Sequence, residues 1–82
     1  MWEREPNRPV WEQVTEILRD RITSGTYRPK QPIPSLPHLM EEFGIALNTA
    51  RKAVHALVAE GRVETVRGMG TFVIPPDEKN QE

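Results

Sequence analysis

The chain has 82 residues, enough for one small domain with little stability to spare. With no cysteine, disulfide frameworks and thiolate metal sites are excluded and a reducing interior is permitted. The 11 basic and 12 acidic residues nearly cancel, which argues against a partner attracted by overall charge and leaves only local patches to do so. No apolar run is long enough to span a bilayer, and the opening MWEREPNRPVW lacks the apolar stretch of a secretory signal. A soluble cytoplasmic protein is therefore expected.

Residues 1–8 are expected to form a flexible arm, in which two roles stay open for Trp2: a disordered end, or the cover of a dimer seam. Pro9 suits the first turn of a helix, where its missing N–H is no loss. Val10, Trp11, Val14, Ile17, Leu18, Arg21 and Ile22 then fall at helical spacing down to a stop at Ser24-Gly25. Trp11 is assigned to the core. The following TYRPKQPIPS carries three prolines and cannot be a regular helix, although Tyr27 and Ile33 can pack down from it.

Ser35 is an N-cap for a short second helix that tolerates Pro37 in its first turn, buries Leu39, Met40 and Phe43, and ends at Gly44. After a short turn, a third helix over 47–60 places Ala50, Ala53, Val54, Leu57 and Val58 on its inner side. Its other face holds Thr49, Lys52, Ala56 and Ala59, with Asn48, Arg51 and His55 at the edges. Beyond Gly61, residues 63–66 and 71–74 read as strands joined by the hairpin loop RGMG. Val63, Phe72 and Val73 are expected to complete the core. Pro75-Pro76 closes the fold, and the remainder of 75–82 is polar and expected to be disordered.

The order helix, loop, helix, turn, helix, hairpin predicts a mainly α fold with a small β wing, a winged helix-turn-helix over 9–74. Between Gly44 and Ile74 the charges are Arg51, Lys52, Arg62 and Arg67 against Glu60 and Glu64, a locally positive stretch. A helix presenting Asn48, Thr49, Arg51, Lys52 and His55, followed by a basic hairpin, suits the two grooves of duplex DNA. His55 is open to two roles, phosphate contact or plain surface, and Met69 reads as loop filler. His38 has no partner at metal-ligand spacing, so no metal is expected. Glu41-Glu42 reads as a solvated acidic pair. No phosphate-cradling loop, nucleophile elbow or zinc motif occurs, so neither enzyme activity nor a cofactor is expected.

Three stretches, PVWEQVTEILRDRITSGTYRPKQPIPS, LMEEFGIALNTARKAVHALVAEGRVE and GMGTFV, resemble the DNA-binding domain of the GntR family of bacterial transcription regulators. The resemblance covers roughly 9–74. It implies a sequence-specific regulator, a repressor that occludes a promoter, acting in the bacterial cytoplasm on the nucleoid. It further implies a homodimer on an inverted-repeat operator in double-stranded DNA, with helix three in the major groove and wing 67–70 at the minor groove. Asn48, Thr49 and Arg51 fall on the family's contact positions, and Arg67 and Gly68 fall on its wing tip. Ser35, Lys52, His55 and Arg62 complete the expected contact set.

The chain also departs from the family. Pro37 replaces a usual arginine, and Ala46 and Leu47 replace a usual Ser-Arg at the start of helix three. Two guanine-reading guanidiniums are thereby lost, about 2–6 kcal/mol of discrimination if uncompensated. Leu47 against a thymine methyl offers one compensation. The family's larger C-terminal domain is not expected in this chain, and with it no small-molecule effector site; an excised domain and a stand-alone regulator fit equally. A second function fits these departures: a winged-helix module for protein interaction or dimerisation, with weak DNA binding and Leu47, Ala56 and Ala59 as its apolar patch.

Overall fold

The computed structural model describes residues 2–75. Three helices, α1 (Val10–Thr23), α2 (Leu36–Phe43) and α3 (Leu47–Ala59), are followed by strands β1 (Val63–Val66) and β2 (Gly70–Val73). The strands form an antiparallel hairpin in which Val63 faces Val73 and Val66 faces Gly70. The predicted mainly α architecture with a β wing is thus present, with β2 starting one residue earlier than the sequence predicts.

Local chemistry accounts for the helix ends. Ser35 caps α2, its hydroxyl oxygen accepting the His38 N–H at 3.3 Å. Gly44 ends α2 in the left-handed conformation, φ 64°, and the Ile45 N–H closes back on the Met40 carbonyl. Pro9 serves as the N-cap of α1 rather than its first helical residue. At α3 the cap position is Ala46, and no side chain satisfies the first N–H groups.

The core gathers one stripe from each element: Val14 and Leu18 of α1, Leu39 and Phe43 of α2, Ala50, Ala53, Val54 and Leu57 of α3, with Val63 and Val73 of the hairpin. Ile33 and Ile45, from the connecting segments, are buried among them. Small residues let α1 approach α3 closely: Thr15, fully within the seam, donates its hydroxyl to the Trp11 carbonyl and lies 3.5 Å from that of Ala53.

Four core expectations need correction. Met40 of α2 is half-buried, packed against the core rather than inside it. Val58 is 39% exposed, because the buried stripe of α3 passes through Val54 and Leu57 and turns away before reaching it. Phe72 is only half-buried, since it neighbours buried Val73 in a strand and successive strand side chains point to opposite faces. Trp11 is likewise half-buried, at the outer end of the α1–α3 seam.

The proline-rich connection is not a loose loop. Gln31 and Val73 pair through the Val73 N–H, the Lys30 N–H reaches the Val73 carbonyl and the Ile33 N–H that of Thr71. Residues 30–33 therefore pair along the free edge of β2, with Pro32 opposite Phe72. At the other end of the chain, the Trp2 indole donates to the Phe43 carbonyl and packs edge-on against the Phe43 ring at 5.3 Å. Buried Gln13 clamps the same segment, accepting the Glu5 N–H and donating to the Glu5 and Arg8 carbonyls. The disorder expected of 77–82 lies outside the described residues.

Candidate nucleic-acid interface

Three residues, Gly44 to Ala46, separate α2 from α3, and this tight turn sets α3 forward of α2. Asn48 stands exposed on the first turn of α3, with half-buried Thr49 next to it. One turn on, Arg51 and His55 project from the side of α3 that faces the wing. There they line a groove of about 510 Å³ with Ser35, Thr65, Met69, Gly70 and Thr71, floored by Ile33, Leu36 and Val54. The structure so brings together Ser35, Arg51 and His55, which are far apart in sequence, beside the wing. Although the Ser35 oxygen caps α2, its hydroxyl proton is still able to donate.

At the wing tip, Met69 N–H bonds back to the Val66 carbonyl and makes a tight turn with Gly68 at φ 79°. An added Cβ at Gly68 would meet nothing within 4 Å, so the backbone angle, not crowding within the chain, demands glycine there. Arg67 and Gly68 are exposed and Met69 is 71% exposed, leaving the tip open to a partner.

Charge separates the candidates further. Among the described residues Arg51, Lys52 and Arg67 have no carboxylate within 4.0 Å. Lys52 lies on the α1 flank instead of in the groove, its ammonium 4.8 Å from the centre of the Trp11 ring. Arg62 does not join them. It lies beyond the C-terminal end of α3, which is itself about 16 Å along the helix from Asn48, and its guanidinium bonds Glu60 at 2.8 Å. Glu60 also binds Arg19 of α1 through two nitrogens. Arg19 chiefly, then Arg62, holds the Glu60 carboxyl down to about 2 against the opposing effect of burial.

The same neutralisation covers the rest of α1. Arg8 is ringed by Glu5, Glu12 and Glu16, and it lowers the Glu16 pKa. Arg21 binds Glu42, lowering its pKa, while donating to the Tyr27 hydroxyl and lying over the Phe43 ring. Glu42 is thus a paired group rather than a purely solvated one. Sequence reasoning missed the contribution of Thr65, Thr71 and the 32–34 segment to the groove. Nothing local marks them, because they arrive by pairing across the sheet.

Among the described residues no group of His, Asp or Glu is placed to hold a metal ion, and no helix is long and apolar enough to cross a membrane. Residues 11–73 match the family model described as bacterial regulatory proteins, gntR family. The HTH-type transcriptional repressor NagR of Bacillus subtilis is 40% identical over 68 residues, which are 83% of this chain and 28% of that protein. A histidine utilization repressor of Klebsiella aerogenes is 37% identical over the same shares of the two chains. The chain thus spans little more than a quarter of the length of these relatives. The crystal structure of AraR(DBD) in complex with operator ORR3 matches with a TM-score of 0.79 and 38% identity, covering 89% of this chain and 88% of that one. With the helix-turn-helix, the wing and the cationic groove all in place, the chain belongs to the GntR family of bacterial regulatory proteins.

Proposed function

We propose that the chain is a sequence-specific binder of double-stranded DNA and regulates transcription as a repressor that occludes a promoter. The carrying observation is the groove that sets Arg51, without a carboxylate partner among the described residues, beside Ser35, His55 and the wing. In this reading α3 enters the major groove, which is about 12 Å wide and admits a helix. Asn48, Thr49 and Arg51 read base edges, with Arg51 the bidentate partner of a guanine. Ser35, Lys52, His55 and Arg67 set position on phosphates, and Gly68 brings backbone against the sugar-phosphate wall. The uncapped N–H groups at the start of α3 add to the attraction for phosphate. Two protomers act as a homodimer on an inverted repeat, within the bacterial cytoplasm.

Selection of bound fragments from a random duplex pool at near-physiological salt tests this directly. An enriched inverted repeat is expected, with half-site spacing that reports the dimer geometry. If about three phosphates are neutralised per protomer, a dimer has a log–log salt slope of about −5. Recovery of no motif would refute the reading and favour the protein-interaction module. Leu47 and Val58, 40% and 39% exposed on α3, and the exposed Met69 would then be its apolar surface. Association through that surface would barely respond to salt.

A further inference from the structure

Trp11 is the one large aromatic of α1, yet it stays half-buried at the outer end of the seam with α3. Its ring is the seat of the Lys52 ammonium, 4.8 Å from the ring centre. A lysine on an exposed helix face ordinarily wanders among many rotamers. Here Lys52 has no carboxylate within 4.0 Å among the described residues, so no ion pair competes with the ring for it. The backbone that carries the ring is anchored to α3. The Thr15 hydroxyl bonds the Trp11 carbonyl and reaches the carbonyl of Ala53, the residue after Lys52. Lys52 and Arg51 are neighbours separated by about 100° around the helix. Arg51 faces the wing groove, whereas Lys52 is drawn to the α1 flank.

We infer that Trp11 is a positioning residue for DNA binding: it holds Lys52 against the α1 flank of α3, where the ammonium clamps a phosphate and leaves base reading to Arg51. The inference rests on the DNA-binding reading above. The cation–π attraction pre-orders a long side chain, so the partner does not have to freeze it on binding. An ammonium is a compact point charge suited to a phosphate, while the guanidinium fork suits a guanine edge.

The test is a binding cycle on the duplex selected by the unaltered chain, across a range of salt. Lys52→Met is expected to weaken binding to specific and non-specific duplexes alike and to flatten the salt slope by about 0.9 for each phosphate no longer neutralised. Trp11→Leu is expected to weaken binding about two- to five-fold per protomer when Lys52 is present, and to have no such effect in the Lys52→Met background. Trp11→Tyr retains an aromatic face and should recover most of the affinity. Should Trp11→Leu fail to fold, Trp11→Phe completes the same cycle with a weaker face. Equal losses from the Trp11 substitutions in both backgrounds would overturn the inference, as would a changed base preference in Lys52→Met without a change in slope. If the unaltered chain binds no duplex, the functional reading fails and this inference falls with it. Salt-dependent binding by the unaltered chain together with additive losses sinks the inference alone.

Discussion

The front of the molecule, formed by α3, the wing and the 32–36 segment, and its back, formed by the outer side of α1, use arginine in opposite ways. On the back, Arg8, Arg19 and Arg21 are each satisfied by carboxylates from within the chain. On the front, Arg51 and Arg67 are exposed and have no such partner among the described residues. Neutral overall charge thus conceals two surfaces, one internally compensated and one that still seeks an anion. The difference teaches that the net charge of a small domain says little about its partner; the fraction of cations left unpaired, and where they lie, says more.

Both surfaces rest on one core, so the largest expected effect removes the comparison altogether. Leu57, on the inner side of α3, is fully buried in the core. Leu57→Ala should destabilise the fold by about 2–5 kcal/mol, read from denaturant unfolding, and binding should fall only as far as the folded population does. A loss below about 1 kcal/mol would mean that Leu57 is not the shared support.

Next in size is a change confined to the front. Arg51→Ala is expected to cost about 1–3 kcal/mol of DNA binding per half-site and to relax preference at one base pair. Its unfolding midpoint should not move, because the Arg51 guanidinium forms no ion pair among the described residues and its side chain lies outside the core. An unaltered base preference in the selected pool would remove Arg51 from the reading set.

A change confined to the back should show the reverse pattern. Arg19→Met deprives Glu60 of its main partner and should lower stability by about 1 kcal/mol, discounted for the partial exposure of both groups. Duplex affinity, corrected for folding, should stay constant. The pH dependence sharpens this. The Glu60 carboxyl is depressed to about 2 in the folded state. Its contribution is therefore complete above the ordinary carboxylate range and is lost as pH falls from about 5 towards about 2. Glu60→Gln should flatten that acid limb of the stability curve; an identical limb in the variant would show that the pair contributes nothing.

The smallest effect concerns the support of the wing. Lys30 holds φ 68° at the third position of a turn closed by the Gln31 N–H on the Arg28 carbonyl. Glycine relieves that strain but loses more chain entropy on folding, so Lys30→Gly should stabilise by no more than about 0.5 kcal/mol. Thermal unfolding of the variant measures it, and a clear loss of stability would show that the Lys30 side chain holds the wing by more than its backbone.

Much of this protein is legible in its residues because the signals are local. The helical spacing of Val14 and Leu18, the Ser35 cap, the Gly44 stop and the paired glycines of the hairpin each act within a few residues of themselves. They predict the element order and the exposed faces carrying Asn48, Arg51 and Arg67. Local signals mislead where two periodicities or two distant segments meet. They place Phe72 in the core beside Val73, although a strand cannot turn both inward, and they group Arg62 with the contact residues, although Glu60 engages it. Only the tertiary structure decided that 30–33 would pair with β2, that Trp2 would lie on Phe43, and that Lys52 would settle on Trp11. Each of these joins segments that lie far apart in the chain. Local propensity cannot encode such contacts, because they exist only once the shared core has brought the segments within reach.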